Sequence, residues 1–507
     1  MSTSMPNEIE TTRVVSHDPN LADVILHVDY DLPAAVSELI DNSIDANAKN
    51  VLVRLLRNRT GLVGMQVIDD GIGIKQDEFD DVMRFAKRRK YGPSERGLYG
   101  IGLKSGSLSM ADQLSVVSMP SGSVPSGRRW TRETAKLEQL AVLSSAYCLA
   151  VMQHANMSIP WKNWVGGTIV DLSELDDFKR VSGDASQVSV YADELLTKIE
   201  QHTGLVFHRL LDAGRKSIKI HLDILDTDSC EPFGSRCVEA VDPFGYTKSG
   251  CTGYPKKFRI RMAGRAKPMT VLAHIWPKGV KSNNFRIPRS GHASAAEGQG
   301  LYIYRNDRLL MSGGWGGMRN PEDHQSLARM AINLCDSDLE FLEPTFNKTG
   351  VKMVPTFCKA LRDSSATDGT TFIDWIEKAI AVARKQSQSA PQVKLPLPQS
   401  GVAVRVRNAF SEVSSNGDEV EVIWKRMPKE IVFSVEAKNS IVYINKAYEN
   451  ALSNDCGSTT LTRTTLSTTL ILLLAKDLLV DRKGKNVKAL EDAIQTILVA
   501  AIKGDDF

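Results

Sequence analysis

No stretch of this sequence is apolar enough to cross a bilayer. The run LILLLA (470–475) ends at Lys476 and Asp477, well short of the ~20 residues a membrane helix needs, so no membrane partner is expected. The first residues carry Glu8 and Glu10 and no apolar core, so no secretory signal is expected there. The seven cysteines include no Cys-x-x-Cys pair, and Cys230, Cys237 and Cys251 lack zinc spacing. That argues against a structural metal and for reduced thiols in a cytoplasmic protein. Net charge is nearly absent as well, at +3 over 507 residues, so the chain as a whole is neither a basic nucleic-acid binder nor an acidic solubiliser. One local absence breaks that balance. Between Pro243 and Ala296 there is no Asp or Glu, while eleven Lys and Arg residues fall inside.

What is present predicts several domains, each long enough to bury a core. Strand-like VLVRLL (51–56), GMQVIDD (64–70), QLSVVSM (113–119) and GGTIVDL (166–172) alternate with helical segments, without the regular beat of a parallel βαβ sheet. The expected fold class is therefore α+β, an α/β sandwich. A first domain is expected over 1–185, with a tail at 1–25 and an irregular insertion at about 120–165. A second, 186–386, opens on a long helix and includes the hairpin GLYIYRNDRLLMSGG turning at Asn306–Asp307. The Pro-, Ser- and Gln-rich run 387–401 reads as a linker, and 402–507 as a small C-terminal α/β region with helices at 461–480 and 487–503.

Chemistry concentrates in three short runs. SELIDNSIDANAKN (37–50) follows Pro33, suited to a first helical turn, with Asp31 placed as a cap. On that helix Glu38, Asp41, Asn42 and Asp45 share one side. Like charges at such spacing cost ~0.2–0.5 kcal/mol per pair, so the face is either solvated or built for a cation or a catalytic base. IDDGIGI (68–74) ends a strand in Asp69, an acceptor for an exocyclic amine, beside Gly71 and Gly73, where backbone can approach a flat ligand. Taken alone, a plain Asp-Gly turn after a strand explains it better. GLYGIGLKS (97–105) fails both the P-loop and Rossmann patterns. Gly97, Gly100 and Gly102 before Lys104 could still cradle phosphate at a helix start.

Taken in order, these runs and the later Gly-Thr at Thr168 resemble the GHKL ATPase superfamily of gyrase, MutL, heat-shock chaperones, histidine kinases and the MORC (microrchidia) ATPases. SELIDNSIDA, GLYGIGLKSGSLSMADQLSVVS and GGTIVDL are most similar to MORC proteins and their bacterial relatives, over about residues 25–175 and more loosely to about 355. The resemblance implies a Bergerat-type ATPase domain with ATP and Mg²⁺ as cofactors. Glu38 would be the general base and Asn42 the Mg²⁺ ligand. Asp69 would accept the adenine amine, with Gly71, Gly73 and Thr168 around it. Gly97, Gly100, Gly102 and Lys104 would form the lid over the phosphates. Asp70 departs from the Asn common at that place.

In the second domain, EPTFNKTG (343–350) resembles the transducer loop of MORC and MutL proteins, which makes Lys348 the expected γ-phosphate contact. The implied protein is an ATP hydrolase closing as a homodimer to clamp or remodel nucleic acid, with antiviral defence in bacteria as the setting. Independently of family, KKFRIRM alternates Lys257, Arg259 and Arg261 with Phe258, Ile260 and Met262, giving a basic strand face within 243–296 suited to phosphates. A chaperone-like ATPase acting on a partner protein is the alternative. A histidine kinase lacks its phospho-acceptor helix here, and intact Glu38 and Asn42 argue against an inactive scaffold.

Overall fold

The computed structural model describes residues 6–15, 31–59, 61–85, 102–179, 185–212, 218–245, 251–265, 267–275, 298–345, 348–389, 397–400, 419–436 and 441–448. By compactness the chain divides into Met1–Gln388 and Ser389–Phe507. Among the described residues no helix is long and apolar enough to cross a membrane.

The first unit is built on a nine-stranded sheet. Its strands in chain order are β1 (Ile9–Val14), β2 (Asn50–Asn58), β3 (Gly61–Asp69), β4 (Ala111–Met119), β5 (Ser126–Thr131), β6 (Gln139–Leu143), β7 (Gly167–Leu175), β8 (Lys219–Asp226) and β9 (Glu231–Cys237), and the spatial order is β1-β6-β5-β4-β7-β3-β2-β8-β9. The pairs are antiparallel except β2–β8, which runs parallel. Side chains alternate across the sheet. Val51, Val53 and Leu55 enter the main core with Val36, Leu39 and Ile40 of helix α1 (Leu32–Asp45). Leu52 and Ile68 face the opposite way, toward Cys148 and Met152 of another helix (145–156). The result is the expected α/β sandwich.

Three expectations are corrected. Residues 120–165 are no irregular insertion, because β5 and β6 extend the sheet and a helix covers it. The boundary at 185/186 falls inside one folded body. Helix α2 (Ala185–Val206) packs Leu195, Leu196 and Ile199 into the first core, and β8 pairs with β2 along its length. The run read as a linker contains a strand, Leu397–Ser400, paired in parallel with Glu419–Lys425. The helices expected at 461–480 and 487–503 lie outside the described residues.

A second, six-stranded sheet carries β10 (Lys256–Ile260), β11 (Met269–Ile275), β12 (Gly300–Arg305), β13 (Arg308–Ser312), β14 (Ala328–Leu334) and a two-residue edge strand, Ser365–Ala366. Helices Pro355–Arg362 and Phe372–Ser389 close its core around Phe357, Trp315 and Trp375. β12 and β13 form the expected hairpin, with Asn306 and Asp307 both left-handed at φ 49° and 63°. In the Ser389–Phe507 unit, buried Asn445 donates to the carbonyls of Met427, Pro428 and Ile431 and so pins a turn to its sheet.

Candidate functional site

Helix α1 begins as its sequence dictates. The Asp31 carboxylate caps the Ala34 amide at 3.0 Å, and proline occupies the first turn. It ends where Asn47 turns left-handed at φ 62°. Between these points Glu38 and Asp41 are buried, Asp45 is half-buried and Asn42 is exposed. The acidic face is therefore not a solvated one over Glu38 and Asp41.

The cations that face them come from the second sheet's lobe. Lys348 Nζ lies 2.9 Å from Glu38 Oε2 and 3.1 Å from Asp41 Oδ2, although 307 residues separate Lys348 from Asp41. Arg308, first residue of β13, places Nε 2.6 Å from Asp41 Oδ2 and Nη2 3.2 Å from Glu38 Oε1. Its Nη1 donates to the Lys348 carbonyl at 3.1 Å, which ties the lysine loop to the hairpin. All four side chains are at most 5% exposed. Burying a charge alone costs several kcal/mol, so two acids and two cations hold one another in place. Burial opposes the Lys348 charge, but Asp41 and Glu38 outweigh it and keep the ammonium above its ordinary value. Lys348 itself is left-handed at φ 49°, an uncommon backbone for lysine. Asp41 Oδ1 is buried without a hydrogen-bond partner among the described residues.

Asp69 stands at the end of β3. Its Oδ2 accepts from the Ser43 hydroxyl at 2.8 Å, and its Oδ1 accepts from the Gly71 amide at 2.8 Å and the Thr168 amide at 3.2 Å. An ionised carboxylate has about four acceptor sites, so these three donors leave room for one more. Burial pushes its pKa up to about 6, against the lowering pull of those donors. The surrounding backbone admits no bulk. A Cβ on Gly167 (φ +147°) would sit 1.9 Å from the Asp69 carbonyl oxygen, and one on left-handed Gly73 2.7 Å from the Pro120 nitrogen. The Thr168 hydroxyl pairs with Ser118 at 2.9 Å. Asp70 accepts from the Lys49 and Asn50 amides and the Asn50 side chain, so it fixes the turn after α1 and takes no part in the site.

The structure does not gather every expected residue. Lys104 lies on a short helix, Gly102–Leu108, buried and donating to the Val82 carbonyl at 2.9 Å, with burial pulling its pKa down to about 8. That carbonyl takes one of the three donors of the ammonium. Gly97 and Gly100 lie outside the described residues. Arg308, Ser43 and Ser118 were missed. An Asn-Asp hairpin predicts a turn but not what its next residue reaches, and a helical serine beside Asn42 carries no local signal.

On β10, Lys257 and Arg259 are exposed and Phe258 and Ile260 buried, and exposed Arg261 continues the alternation. Lys256 pairs with Asp368 at 2.6 Å and Arg265 with Asp338 at 2.7 Å. Arg259 and Arg261 line an open cavity of about 750 Å³ with Lys359 and Asp363, away from the acidic helix. Lys248, Lys278, Lys281, Arg286 and Arg289 lie outside the described residues.

Residues 30–155 match the family model described as histidine kinase-, DNA gyrase B- and HSP90-like ATPase. No curated protein sequence gives a significant match. Among solved structures, the chain is similar to the "N terminal domain of a DNA repair protein" at 15% identity and a TM-score of 0.37, over 74% of this chain and 99% of that one.

Proposed function

From a GHKL-type ATPase domain over residues 30–155, we propose a Mg²⁺-dependent ATP hydrolase of the MORC kind. It closes as a homodimer on ATP and clamps or remodels nucleic acid, in the defence setting that the sequence resemblance implies. The observation that carries this reading is the meeting of Glu38 with Lys348 at 2.9 Å, inside a buried cluster joining the ATPase helix to the second lobe. Glu38 is the base that orients and deprotonates the attacking water. Lys348 exchanges its carboxylate partners for the γ-phosphate, so that the second lobe senses intact ATP. Such chemistry rests on positioning and charge rather than covalent steps. The exposed Asn42 amide and the unpartnered oxygen of Asp41 are hard oxygen donors that fit a magnesium ion. When bound, that ion neutralises phosphate charge.

Asp69 receives the adenine amine at its remaining acceptor site. Because its pKa lies near 6, the ionised acceptor is present above that value and lost as pH falls through it. ATP affinity should weaken several-fold from pH 7.5 to pH 5.5 in a fluorescence titration. A flat profile would remove Asp69 from the adenine contact.

Nucleic acid is met by the exposed strand face, through phosphates. ATP turnover measured with and without duplex DNA tests the whole reading, and stimulation by unfolded protein instead would favour the chaperone-like alternative. The face itself is tested by salt titration of duplex binding. Each phosphate contact contributes about −0.9 to the slope of log K against log salt. Changing Lys257, Arg259 and Arg261 together to Gln should therefore make the slope shallower by roughly two to three units. Parallel lines for wild type and variant would assign this face to solvent or to protein acids.

A further inference from the structure

We propose that Arg308 is the positioning residue for hydrolysis, delivering Glu38 and Lys348 to ATP as one unit. The inference rests on the base assigned to Glu38 above. Two hydrogen bonds and one close ion pair from a single guanidinium carry it. Nε reaches Asp41 at 2.6 Å, Nη2 reaches Glu38 at 3.2 Å, and Nη1 donates to the Lys348 backbone at 3.1 Å. The lysine side chain touches the same two carboxylates, yet only the guanidinium also holds the lysine's own loop. Lys348 can therefore swing its ammonium to a phosphate while its backbone stays tied to the base. Arg308 is placed for this by the tight turn at Asn306–Asp307, and its guanidinium lies 6.0 Å from the Phe207 ring centre, behind the cluster. Nearby His202, held down to about 4 by burial, with Asp31 pulling it up and Arg308 pushing it down, brings no charge at neutral pH. The planar fork matters more than the charge, because an ammonium cannot reach two carboxylates and a backbone carbonyl in three divergent in-plane directions.

Arg308→Lys separates the two roles, since it keeps the buried charge and loses the fork. The expected result is a melting temperature and an ATP KM close to wild type, with kcat lower by about 10²-fold, the scale of a misplacement near 1 Å at a reacting centre. Arg308→Gln should lose both stability and turnover. A kcat for Arg308→Lys within about threefold of wild type would overturn the inference, as would a loss of ATP binding in step with turnover. Glu38→Gln is assayed alongside. If that variant hydrolyses ATP like wild type, the base assignment has failed. An inactive Glu38→Gln beside an unaffected Arg308→Lys overturns the positioning role alone.

Discussion

Glu38→Gln should bind ATP and hydrolyse it about 10²–10⁴-fold more slowly than wild type, the usual cost of losing a positioned acid–base group. Glutamine keeps the size of the buried side chain and cannot take a proton from water. The surroundings sharpen the expectation. With Glu38 ionised, the cluster holds two carboxylates against Arg308 and Lys348. The amide leaves one cation in excess, so an incoming phosphate should be held at least as tightly. Equilibrium binding of ATP and steady-state phosphate release, measured on the same preparation, separate the two effects. Wild-type turnover in the variant would sink the assignment.

Lys348→Ala should act on stability and on closure. It leaves Glu38 and Asp41 buried against Arg308 alone, and removing one partner from a buried ionic set typically costs about 3–5 kcal/mol. Chemical denaturation of the nucleotide-free protein reads that loss. Adding Asp41→Asn restores the charge balance and should recover part of it, a coupling that a double-mutant cycle isolates. Without the lysine, ATP should no longer shift the protein toward a closed dimer in sedimentation. A variant as stable as wild type, and closing normally, would show that neither contact is used.

The elements nearest the site were legible from local pattern. The proline and aspartate opening α1, the apolar run of β2, the alternation of β10, and the Asn-Asp turn each have a cause within a few residues. What escaped was non-local or disguised. SGRRWT does not read as a core strand, yet Arg128 and Arg129 are buried because Asp80 and Glu8 meet them at 2.6 Å. Hydropathy cannot show an arginine whose partner lies 121 residues away, as Glu8 does from Arg129. The same holds for Arg308 and Glu38, which are 270 residues apart. The acidic face of α1 did signal a need for cations, but not that the chain itself supplies two of them.

The parallel pairing of β2 with β8 also sets where this protein can be divided. Arg54 on β2 and Asp223 on β8 form a buried bidentate pair at 2.7 Å, and the core that holds Val53 and Leu55 also takes Leu195, Leu196 and Ile199 of α2. A fragment ending at residue 185 would contain the residues that match the family model, 30–155, and still present β2 as a bare edge, with an arginine stripped of its acid. Unpaired edges of that kind recruit other chains. The smallest piece that keeps this sheet whole therefore extends through β9, past Cys237, and a shorter one invites aggregation that could be mistaken for assembly.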